Sequence, residues 1–172
     1  MSETKRDCFY IDSHNESLPA LSEVFGLQPK ERAIIVGFSW LNRLATDPAN
    51  RNALVAIDQI QVAENASRVL TQLLPGKAFD EFKKGQAVSV LSASVTLMTK
   101  RKHPTTWDGP VLVIYPSEDL LNVVDSIEGV TDVLIVPWQP LDQDAPVAAW
   151  IARWTAMPIL PQTQTTTGKA NS

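Results

Sequence analysis

The chain has 172 residues, 44% of them hydrophobic, a net charge of −4 and a single cysteine. That length fits one domain able to bury its own core without a disulfide or a metal, and the lone Cys8 excludes an intramolecular disulfide or a cysteine-based zinc site within one chain. The acidic balance argues against general affinity for nucleic acid; with a polar start at residues 1–7 and no apolar stretch near the ~18 residues of a membrane span, it points to a soluble cytoplasmic protein.

In chain order, the apolar run at residues 8–11 suits a first strand ending at Asp12-Ser13, followed by a short helix over 17–25 closed by Gly26. Residues 33–38 can be read in two ways. Their β-branched composition and Gly37 suit a buried strand with Ser39 at its end, which is the assignment adopted; yet Pro29 opens a helix well, and Ile34, Phe38, Leu41 and Ala45 share a helical face. A second short run at residues 53–57 ends at Asp58. Val62, Ala66, Val69, Leu70 and Leu73 then mark a helix stopped by Pro75-Gly76.

Residues 77–101 are expected to form another helix, interrupted or capped at Gly85, because Val88, Leu91, Val95 and Met98 form an apolar stripe, although the alternation of Leu91, Ala93, Val95 and Leu97 also fits a strand. Lys100, Arg101, Lys102 and His103 would then complement the helix dipole as solvated charges; an anion or phosphate contact is the competing role, and the only local exception to the argument against nucleic acid.

Residues 109–138 organise the rest. Two apolar runs, 111–115 and 133–136, flank an amphipathic segment in which Ser117 caps, Glu118 and Asp119 put negative charge in the first turn, Leu120, Leu121, Val124 and Ile127 share a face, and Gly129 stops the helix. Strands that are apolar throughout are covered on both sides, as in a parallel sheet of an α/β domain. A last helix begins at Asp144 with Pro146 in its first turn, and Val147, Trp150, Ile151 and Trp154 fall on one face. The expected architecture is one α/β domain over residues 1–160: a three-layer Rossmann-like or flavodoxin-like fold with a mostly parallel sheet of four to five strands. Residues 161–172, Gln/Thr-rich and without an apolar anchor, are expected to be a disordered tail. If residues 29–74 were wholly helical, only a small C-terminal α/β unit would remain.

Ligands of open parallel sheets bind beyond the carboxyl ends of the strands. The residues expected there are Asp12-Ser13, Ser39, Asp58, Ser117-Glu118-Asp119 and Trp138-Gln139. Asp12, Asp58 and Glu118 are the candidate catalytic carboxylates, able in principle to hold Mg or Mn through oxygen ligands; Ser13, Ser39, Ser117 and Trp138 are the candidate pocket residues. Helix capping competes with the metal role at Asp12, Ser117 and Asp144. The segment Tyr10-Ile11-Asp12-Ser13-His14-Asn15 resembles, over six residues, the opening of PIN and NYN-type nucleases, where a first strand ends in Asp and an Asn follows three residues on. Those families carry a late Ser-Gly-Asp-x-Asp cluster after a strand, whereas here the corresponding strand ends Ile135-Val136-Pro137-Trp138.

The chain has no G-x-G-x-x-G after a strand, no G-x-x-x-x-G-K-[ST] and no G-x-S-x-G, which removes the standard dinucleotide, P-loop and hydrolase-elbow signatures. His14 and His103 are the only histidines. Trp150 and Trp154, one turn apart, suit the core or an interface with a partner. The leading expectation is a non-enzymatic binding or accessory protein acting through self-association or a protein partner, with no resident cofactor. The alternatives are a metal-dependent phosphohydrolase or nuclease and a regulator that binds a small molecule or nucleotide.

Overall fold

The computed structural model describes residues 6–12 and 29–159. Its elements are β1 (Asp7–Tyr10), α1 (Pro29–Leu44), β2 (Asn52–Ile57), α2 (Ile60–Asn65), α3 (Ser67–Leu73), α4 (Lys77–Lys83), β3 (Val88–Val90), β4 (Ala93–Thr99), β5 (Thr106–Ile114), α5 (Glu118–Ser126), β6 (Glu128–Val136), α6 (Ala145–Trp154) and β7 (Met157–Pro158). The helix expected over 17–25, Ser13, His14 and the tail at 161–172 lie outside the described residues. Among the described residues, no helix is long and apolar enough to cross a membrane.

The strands form one seven-stranded sheet in the order β3-β4-β2-β5-β6-β1-β7, rather than the four to five strands expected. All neighbours are parallel except β3 and β4, which form an antiparallel hairpin. Alternate residues of the central strands enter two separate cores. Ala53, Val55, Ile57, Leu112, Ile114, Leu134 and Val136 pack with the apolar residues of α1 to α4. Leu54, Ala56, Val111, Val113, Val133 and Ile135 pack with those of α5 and α6. Helices therefore cover both faces, which explains why these strands read as unbroken apolar runs.

Residues 33–38 are helical, and Ser39 is an exposed position within α1 rather than the end of a strand. Tertiary packing overrides the β-branched composition: Ile34, Phe38, Leu41 and Ala45 are all buried on one helical face. Gly37 serves that packing, since a Cβ there would stand 2.7 Å from Leu112 Cδ1 on β5.

The helix expected over 77–101 ends at Lys83, and at Gly85 (φ +87), the expected interruption or cap, the chain turns into the β3-β4 hairpin instead of resuming a helix. The apparent helical stripe was a coincidence of spacing. Leu91 is 89% exposed at the hairpin tip and Met98 faces the opposite core from Val95, whereas Ala93, Val95 and Leu97 share one face as a strand requires. Asn42 on α1 holds the hairpin: its side-chain oxygen accepts from Ser92 N (2.7 Å) and Ala93 N (3.2 Å). The basic residues 100–103 consequently sit in a turn after β4, where no helix dipole supports them. Lys100 instead pairs with Asp119 at 4.0 Å.

The β5-α5-β6 unit follows the expected plan with longer strands. Gly129, however, does not stop α5; it lies inside β6 at φ +93, where a Cβ would stand 2.7 Å from the Trp107 carbonyl oxygen. Glycine there lets β5 and β6 approach beside a register shift at Gly109. Past α6, Thr155 takes a left-handed conformation (φ 51) and Met157–Pro158 pair with β1 as an additional edge strand.

Candidate functional site

The sheet order fixes where its strand ends converge. After β2 the chain crosses to the β3-β4 hairpin on one side, whereas after β5 it crosses to β6 on the other. β2 and β5 are adjacent and parallel, so the connections diverge from their carboxyl ends and leave a crevice there. A cleft of about 360 Å³ occupies that position, lined from β2 by Asp58, from β5 by Tyr115, Pro116 and Ser117, and from the segment after β6 by Trp138 and Gln139. Val62 of α2 and Asp144 at the start of α6 complete its wall.

Ser117 has two attachments. Its Oγ accepts the Leu120 amide hydrogen (3.2 Å), which caps α5 as its sequence position predicts, and donates to one carboxylate oxygen of Asp58. The other oxygen of Asp58 accepts from Ser117 N (3.0 Å). A two-bonded carboxylate thus joins the end of β2 to the start of α5 and fixes the floor of the cleft.

Tyr115 sets the wall. The backbone turns sharply as β5 ends, placing Tyr115 at φ 54 while its N–H still bonds the Val136 carbonyl oxygen (2.8 Å). A bulky side chain in the left-handed region costs about 1–2 kcal/mol, a strain that concentrates at functional sites. The ring is buried, and burial, with Glu31 adding its charge, raises the hydroxyl's pKa, so it stays protonated. Trp138 packs against it edge to face, with ring centroids 4.8 Å apart, and remains 44% exposed.

Asp144 caps α6 by accepting from Val147 N (3.4 Å), and burial raises its pKa, with the Val147 N–H pulling the other way.

Not all the expected strand-end residues meet. Asp58, Ser117, Trp138 and Gln139 share the cleft. Asp12 follows β1, which stands three places from β2 in the sheet, about 14 Å at the usual strand spacing. Glu118 and Asp119 are exposed on the first turn of α5 and outside the lining. Among the described residues, no group of three His, Cys, Asp or Glu side chains is arranged to hold a metal ion. His103 lies in a different depression, with Lys102, Pro104 and Trp107. Tyr115, Pro116, Val62 and Asp144 are lining residues not expected there, Asp144 being expected only as a helix cap. An aromatic residue directly before the Pro-Ser cap was the available signal for Tyr115; nothing local pointed to Val62.

The remaining candidates lie at the opposite, amino edge of the sheet. Trp150 is buried, and its indole N–H donates to Asp125 Oδ1 (3.0 Å); half-buried Trp154 donates to the same oxygen (3.1 Å). Cys8, on the neighbouring β1, is buried, and burial pushes its thiol up to about 12. At neutral pH it is a protonated core side chain rather than a nucleophile.

Compared with protein-family models, with curated proteins and with solved structures, the chain matches none.

Proposed function

We propose that this protein acts by binding a small molecule in the cleft at the carboxyl ends of β2 and β5. The observation that carries the reading is the coincidence of cleft and topological switch point, the place where doubly wound sheets of the Rossmann-like or flavodoxin-like kind hold ligands. The size supports it, since small-molecule sites run from about 300 to 1,000 Å³. The lining supports it as well: two aromatic rings and a proline supply apolar surface, and a few fixed polar groups supply direction. Pre-formed walls reduce the ordering that binding must impose.

A fragment screen read by proton–nitrogen correlation spectra tests the proposal. Binding should move the backbone signals of Asp58, Tyr115 and Ser117 together with the Trp138 indole signal, and Trp138→Ala should weaken it. A screen whose hits all map elsewhere overturns the reading.

A further inference from the structure

The charge and ring chemistry of the cleft narrow its ligand, on the reading that the cleft is a small-molecule site. We infer that it selects an organic cation of about one ring in size, whose ammonium or amidinium group meets Asp58 and Asp144 while its apolar part lies against Trp138 and Tyr115.

Four observations converge. Among the described residues, the eight that line the cleft include two carboxylates and no lysine, arginine or histidine. Asp58 is held in place by two hydrogen bonds from Ser117, but a carboxylate has about four lone-pair positions, so it keeps acceptor capacity for a third donor. Asp144 uses one oxygen on Val147 N, and no other bond to its carboxylate is formed by the described residues. Trp138, 44% exposed, lines the cleft beside them, and an indole face attracts cations through its quadrupole.

The same geometry disfavours an anion. A helix N-terminus ordinarily attracts phosphate or carboxylate. On α5, however, the Leu120 N–H is taken by Ser117 Oγ, and Glu118 and Asp119 put two further negative charges on the first turn. Of the basic residues 100–103 that follow β4, Lys100 pairs with Asp119, and none of the four is in the lining. A nucleotide phosphate entering here would meet two carboxylates, with no cation among the described lining residues to receive it.

Three probes share a phenyl ring and differ in charge: 2-phenylethylammonium, 2-phenylethanol and phenylacetate. Titrated into the full chain and followed at the Trp138 indole signal, the ammonium should bind at least tenfold more tightly than the alcohol, and phenylacetate should bind most weakly. Asp144→Asn should lower the affinity for the ammonium by about tenfold and leave the alcohol unchanged. That variant remains folded because Asn caps a helix about as well as Asp. Equal affinity across the three probes, or tighter binding of phenylacetate, overturns the charge selection while leaving the small-molecule reading in place. No response at Trp138 from any of the three removes both.

Discussion

Helix α5 is finished in opposite ways at its two ends. At its N-terminus Ser117 and Asp58 satisfy the backbone and leave a cleft beside them, with Trp138 partly exposed over it. At its C-terminus the space is filled. Arg6 donates to the Val124 and Ile127 carbonyl oxygens (3.3 and 2.8 Å) and lies 5.2 Å above the Trp154 ring. Asp125 collects the two indole N–H groups and the Arg153 guanidinium at 2.8 Å. Both ends need a carboxylate to complete their hydrogen bonds, but only the C-terminal one is enclosed by large side chains. A fold can therefore spend similar polar groups on closure at one edge of a sheet and on an open surface at the other; the difference lies in what surrounds them.

Substitutions at the two ends of α5 should have different consequences. The largest effect should come from Asp125→Ala, which deprives buried Trp150 of its acceptor and strips Arg153 and Trp154 of theirs. We expect a loss of about 2–4 kcal/mol, read as a lower denaturant midpoint with an unchanged slope. The affinity of the cleft should not change. Ser117→Ala should cost less, about 1–2 kcal/mol for the cap and the hydroxyl bond to Asp58, but should also weaken ligand binding because Asp58 then keeps only the bond from the backbone N–H of residue 117. Ser117→Thr should restore most of both. A Ser117→Ala variant that binds normally would show that Asp58 is held without the serine.

The smallest effect concerns the amino edge, where Asp132 of β6 lies in register with Asp7 of β1. Burial, then the charge of Asp7, raises the pKa of Asp132. The folded state thus prefers the protonated form: its contribution is fully present below the unfolded value of about 3.9 and is lost as pH rises through the folded value. Asp132→Asn should accordingly stabilise the protein at pH 7 by up to about 1 kcal/mol, a gain that fades by about pH 3.5. Unfolding curves at the two pH values check it.

The parts of this molecule legible in its sequence are those where local pattern and tertiary role agree. Ser117 stands before a helix whose Leu120, Leu121 and Val124 are buried, and β5 and β6 are apolar because both their faces are covered. The failures came where one pattern served two periods. Val88, Leu91, Val95 and Met98 repeat like a helix although Leu91 is a hairpin tip, and the Ile-Ile-Val of residues 34–36 looks like a strand inside α1. At the site, Asp58, Ser117 and Trp138 were readable as residues beyond strand ends, but which strands are neighbours was not. Asp12 and Asp58 look equivalent along the chain; only the order β2-β5-β6-β1 separates them and brings Asp58 to Ser117.

The indole N–H signals offer the most direct test of the contrast between an open and a closed end. In one titration with 2-phenylethylammonium, the Trp138 signal should shift progressively to saturation, while those of Trp150 and Trp154, held on Asp125, should stay in place. Movement of the Trp150 and Trp154 signals with Trp138 unmoved would contradict the account, for it would put the accessible surface at the end of α5 that the structure shows to be filled.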